Sequence, residues 1–91
     1  MEVQNAIISE TFLGYEEHGN LTFQLYLRKG NSVQAFGGYR LNVEHIQAIL
    51  KTLKVSSWEE LPGTPCRIRA DDSHIEAIGH FMINEWFQPN G

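Results

Sequence analysis

The stretch Leu21-Thr22-Phe23-Gln24-Leu25-Tyr26-Leu27-Arg28 constrains the fold more than any other. Apolar residues alternate there with polar or amphipathic ones, the period of a strand with two unlike faces. Leu21, Phe23, Leu25 and Leu27 are read as inward, and Thr22, Gln24, Tyr26 and Arg28 as outward. Turn signals flank this strand: a glycine-bounded segment from Gly14 to Asn20 before it, and Lys29-Gly30-Asn31-Ser32 after it. Residues 5–14 and 33–40 are rich in β-formers and become its antiparallel neighbours in a meander. The apolar doublets Ile7-Ile8 and Phe12-Leu13 blur the alternation of the first strand. A bulge, or a strand covered on both faces, accounts for them.

The period then changes. Val43, Ile46, Ile49, Leu50 and Leu53 recur at i, i+3, i+4 and i+7, which predicts one amphipathic helix over about 42–54. Asn42 is its N-cap, Leu41 and Ile46 are placed for a hydrophobic staple, and Lys51 and Lys54 suit its C-terminal end. Ser57 with Glu60 fits a capping box, and Leu61-Pro62-Gly63 stops that short turn. Residues 64–70 read as a strand, 74–83 as its partner strand or a strand pair, and Trp86-Phe87 as a closing tie. The expectation is an α+β fold: an antiparallel sheet of five to six strands with one main helix packed on one face. At 91 residues the chain makes a single domain over 1–91, with a thin core that stands to gain from self-association.

Charge narrows the partners. Seven Lys and Arg against eleven Asp and Glu leave a formal net charge of −4. A nucleic-acid duplex rewards a basic face, so none is expected as partner. One small anionic ligand held by local arginines remains compatible. The single cysteine, Cys66, excludes an intrachain disulfide and fits a reducing cytosol. The start of the chain lacks a basic region followed by an apolar one, so no signal peptide is expected. No apolar run reaches the ~18 residues of a membrane span.

Four segments carry candidate chemistry. Ala35-Phe36-Gly37-Gly38-Tyr39-Arg40 combines two rings, a glycine pair and a forked cation, a mixture suited to a planar anionic ligand. Its geometric reading is a bulge with aromatics packed in the core. Arg67 and Arg69 project from one face of one strand, about 6.5–7 Å apart along it, and could clamp a phosphate. Their alternative role is a solvated face paired with Glu76. Such a clamp needs a ring close by, from Phe36, Tyr39 or Trp86. His18 beside Glu16 and Glu17 could form an acid–base pair, although nothing supplies a nucleophile. His18, His45, His74 and His80 share no metal-ligand spacing, so neither a metal nor any other cofactor is expected.

Five segments taken in order are familiar: Phe12-Leu13-Gly14-Tyr15-Glu16-Glu17-His18-Gly19, Phe36-Gly37-Gly38-Tyr39, Val55 to Gly63, Ile78-Gly79-His80, and Glu85-Trp86-Phe87. This order resembles a family of small tailed-phage proteins, over nearly the whole chain. Ala35 and Arg40-Leu41-Asn42 depart from the family pattern, beside a short connection to the helix. The resemblance implies a phage counter-defence protein in the host cytoplasm. It would bind and sequester a small cyclic nucleotide immune signal, as sponges do against Thoeris-type or CBASS-type immunity. Such a protein turns nothing over and assembles as a homo-oligomer with ligand between subunits. The resemblance shifts Phe36, Gly37, Gly38 and Tyr39 toward a binding role. Together with Arg40, His18, Arg67, Arg69 and Trp86, from the reading of the residues themselves, they are the expected ligand-binding residues. Two rival readings are a protein–protein module that steers its acidic surface to a host defence protein, and a nucleotide-acting enzyme using His18 with Glu16 or Glu17.

Overall fold

The computed structural model describes residues 2–89. It contains a six-stranded antiparallel sheet with strand order β3-β2-β1-β4-β5-β6. The strands are β1 (Glu2–Tyr15), β2 (Leu21–Lys29), β3 (Ser32–Arg40), β4 (Pro65–Ala70), β5 (Ile75–His80) and β6 (Trp86–Phe87). One α-helix, α1 (Val43–Leu53), and a short 3-10 turn, Trp58–Glu60, lie between β3 and β4.

Strand β1 is the spine. It starts earlier than its residue types predict, at Glu2 rather than Asn5, because its first half is hydrogen-bonded along β4. Its second half pairs with β2, and Ile7 is matched to both neighbours. Register shifts between Ile8 and Glu10, so Ser9 is the extra residue of a bulge. A bulge of this kind bends the strand and increases its twist. The bulge follows the Ile7-Ile8 doublet, of which Ile8 is buried and Ile7 is on the open face. In the second doublet both Phe12 and Leu13 are exposed.

In β2 the alternation translates into burial: Phe23, Leu25 and Leu27 are fully enclosed. Leu21, expected inward, is exposed at the strand's start, and Thr22, expected outward, is buried. Gly30-Asn31 closes the β2–β3 hairpin, with Gly30 at φ 59. Glycine at the first central position of a two-residue loop is a twist-compatible choice.

The sheet curls strongly. Gln34 of β3 donates to the Asp71 carbonyl at 3.1 Å, and Phe36 meets Phe87 edge-on at 6.3 Å. The first contact ties β3 to the turn between β4 and β5, and the second joins β3 to β6, the strands at opposite ends of the sheet. The concave side therefore holds the core: Ile8, Phe23, Leu25, Leu27, Phe36, Ile68 and Ile78, closed by Ile49 and Leu53 of α1 and by Leu61. The opposite, convex side faces solvent.

Helix α1 is capped as its sequence predicts, with Asn42 Oδ1 accepting from the Glu44 amide at 2.8 Å. Val43 does not face the core; it is exposed at the first turn. Lys54 ends the helix in the left-handed region, at φ 61. The capping box is shifted by one residue. Glu60 reaches back to the amide and hydroxyl of Ser56, and the Ser57 side chain makes no cap bond. Trp58 packs edge-on against Phe23 at 6.0 Å, as a lid on the core.

Cys66 is enclosed in this core, and burial pushes its thiol up to about 12. Thiolate is the reactive form, so the native protein is expected to resist a disulfide-exchange reagent at pH 8 and to react only on unfolding. The raised value also fixes the sign of a pH dependence. The native thiol keeps its proton to about pH 12, whereas an unfolded one releases it near 8.5. The unfolded state therefore binds fewer protons between those values, and stability falls there as pH rises.

Candidate functional site

Leaving aside Tyr39, whose side chain is not among those described, the residues singled out in the sequence do not form one site. Phe36 is only 2% exposed, its ring edge-on to Phe87 inside the core. It cannot stack a ligand from solvent without leaving that core. Gly37 and Gly38 shape the backbone: Thr22 pairs with Arg40 and Gln24 with Gly37, so two residues of β3 stand opposite Phe23. A Cβ on Gly37 would lie 2.5 Å from the Phe23 carbonyl oxygen. The glycine pair thus serves the bulge and a close approach of β3 to β2. Tyr39 lies in β3, and its side chain falls outside the described residues. Arg40 is exposed at the strand's end.

His18 is exposed in the β1–β2 loop, with Nδ1 3.2 Å from Glu16 Oε2. Glu16 also accepts from the Asn20 amide at 2.9 Å, and that bond holds its carboxyl below the ordinary range. These contacts staple a turn. Among the described residues, no hydroxyl or thiol is hydrogen-bonded to His18. Arg40 and His18 are remote from the other arginines. Arg40 stands across from Thr22 and thence Gly14, whereas Arg67 stands across from Asn5. Those positions on β1 are separated by about 30 Å of strand.

Arg67, Arg69 and Trp86 do converge. Asn5, Arg67, Gly79 and Trp86 form one cross-strand row over β1, β4, β5 and β6 on the convex face. Arg69 lies in the next row, opposite Ala77. The Arg67 and Arg69 guanidinium carbons are 5.1 and 4.6 Å from the indole centroid. Trp86 lies flat because Gly79 leaves room: a Cβ there would fall 2.7 Å from the indole. The ring is also anchored by Nε1, which donates to Asn84 Oδ1 at 3.0 Å. An indole face is electron-rich, so two cations beside it are each held at modest gain.

The two arginines differ in commitment. Arg67 donates through Nε to the His80 carbonyl and through Nη2 to the Ile83 carbonyl, both at 2.8 Å. It is a brace for the β5–β6 connection. Arg69 makes one long contact, Nη1 to Glu76 Oε1 at 3.5 Å. Glu76 reaches that face because register shifts between Arg69 and Ala70, making Glu76 the extra residue of a bulge. The remaining Arg69 N–H groups have no partner among the described residues. A planar anion beside Trp86 would meet those donors.

The convex face also carries what the sequence did not mark. Val33, Arg28, Ile7 and Pro65 make a second cross-strand row over β3, β2, β1 and β4, beside the first. No local motif announces it, since only the pairing register brings these residues together. Among the described residues, no group of three or more His, Cys, Asp and Glu is placed to hold a metal, and no helix is long and apolar enough to cross a membrane. No protein-family model, no curated protein and no solved structure matches the chain.

Proposed function

We propose that this chain binds and sequesters a small cyclic nucleotide signal, without turnover, in the host cytoplasm. The observation that carries this reading is the convergence of Arg67, Arg69 and Trp86, with both guanidinium groups within 5.1 Å of one indole centroid. In the proposed complex Arg69 takes the phosphate through charge-assisted bonds, displacing its long contact with Glu76. The base lies on the guanidinium-covered indole, since arginine planes and aromatic rings both stack bases. Homo-oligomerisation belongs to the same reading. Val3, Phe12 and Val33 are exposed on the convex face and offer apolar surface to another copy.

Calorimetric titration with cyclic dinucleotides, cyclic trinucleotides and cyclic ADP-ribose isomers tests this. At least one is expected to release heat, and Arg69→Ala is expected to weaken it by about tenfold or more, the worth of a hydrogen bond to a charged group. No heat from well-folded protein with any of them rejects the proposal. The exposed apolar side chains of the convex face also favour a second reading, a module that docks on a host protein. Recovery of one stoichiometric host protein, alongside calorimetric silence, would replace the first reading with that one.

A further inference from the structure

A depression of about 310 Å³ opens on the convex face, lined by Asn5, Ile7, Arg28, Gly30, Pro65 and Phe81. Its volume lies at the low end of the ~300–1,000 Å³ typical of small-molecule sites. Ile7, Pro65 and Phe81 give it an apolar side. Ile7 and Phe81 remain 38% and 39% exposed, so each keeps a face open to a guest. The wall at Phe81 is braced. Arg67 holds the carbonyls of His80 and Ile83 on either side of it, and His80 Nδ1 accepts from the amides of Met82 and Ile83 at 2.9 and 3.2 Å. On the opposite rim Arg28 stands directly across from Ile7, and Ile7 directly across from Pro65.

Arg28 makes no ion pair among the described residues. Glu10, one position along the same face and across from Tyr26, does not reach it. Among the described residues Arg69 is the one arginine with an ion pair. Arg28, Arg40 and Arg67 have none, and of these Arg28 stands at the edge of the hollow. Asn5 adds one amide to the polar side of that hollow.

We infer that this depression is a binding site for a small molecule with a flat apolar ring and a single carboxylate. The ring packs between Ile7, Pro65 and the open face of Phe81, where offset or edge contacts are favoured. The carboxylate meets the Arg28 fork, which matches its two oxygens in a bidentate pair. One fork serves one carboxylate, and no second cation lines the hollow. This site does not depend on the Arg67–Arg69–Trp86 reading and stands or falls without it.

The test uses phenylacetate and its neutral isostere phenylacetamide, titrated separately into isotope-labelled protein and followed by amide resonances. Phenylacetate is expected to shift Asn5, Ile7, Arg28 and Phe81 saturably. Phenylacetamide is expected to bind about tenfold more weakly, the contribution of a charge-assisted pair. Arg28→Gln, an exposed change that leaves the spectrum of the fold intact, should abolish that preference, whereas Arg69→Ala should keep it. Equal binding of acid and amide overturns the inference, as does a preference that survives Arg28→Gln. Shifts confined to another surface also overturn it. So does movement of the same resonances on dilution without ligand, which would assign the hollow to self-association.

Discussion

Phe36→Ala is expected to remove about 3–5 kcal/mol of stability, the range for truncating a fully buried phenylalanine. A domain of this size has ~5–15 kcal/mol in total, so the variant should lose a large share of its stability. The ring lies within the core and meets Phe87 edge-on at 6.3 Å, linking the first and last strands of the curled sheet. Its loss leaves a cavity where those strands close on each other. Urea denaturation followed by circular dichroism checks this, with Phe36→Leu as a milder companion expected to lose roughly a third as much. The alternative for Phe36, a ring that stacks a ligand, predicts the reverse pattern of intact stability and lost binding. A Phe36→Ala protein as stable as the parent would remove this residue from the core.

Gly37→Ala is expected to cost roughly 2–4 kcal/mol, from a strained backbone and a backbone clash together. Gly37 has φ 122, a conformation that L side chains rarely adopt, and its Cβ would lie 2.5 Å from the Phe23 carbonyl oxygen. That oxygen is main chain and cannot swing aside, so β2 and β3 must separate locally. Gly38 supplies the control. It has φ 79, but its nearest neighbour would be the flexible Gln24 amide nitrogen at 3.4 Å. Gly38→Ala should therefore cost only about 1 kcal/mol. Equal losses for the two variants in urea denaturation would show that close approach is not what Gly37 provides.

Much of the architecture is legible residue by residue. The alternation in β2 and the i, i+3, i+4 spacing in α1 are local properties, and each is strong enough to name its element. Asn42 is a cap because its side chain and the first amides of the helix are neighbours in the chain. Elsewhere the folded chain departs from these local preferences. Glu2 and Gln4 carry little strand preference, yet β4 pairs with both. The turn after Val55 is anchored on Ser56 rather than Ser57, through the bond from its amide to Glu60. Val43 has the right spacing for the core, but lies where the helix begins and nothing covers it.

The candidate site divides along the same line. Alternation alone puts Arg67 and Arg69 on one face of β4, so their shared direction is visible in the sequence. That Arg67 braces a loop while Arg69 keeps free donors depends on carbonyls and a carboxylate from β5 and its connection. The motif around Phe36 to Arg40 is compact in sequence, yet it splits: one ring goes inward, two glycines shape a bulge, and the arginine ends the strand. Composition cannot distinguish a glycine that admits a ligand from one that admits another strand.

The chain by itself determined the kinds of element, their order and which side of β4 and of most of β2 is apolar, because propensity and periodicity act between near neighbours. Only the tertiary structure decided the curl of the sheet, the burial of Phe36, and the rows Asn5–Arg67–Gly79–Trp86 and Val33–Arg28–Ile7–Pro65. Those depend on pairing register and bulges, where a shift of one residue moves every side chain to the other face.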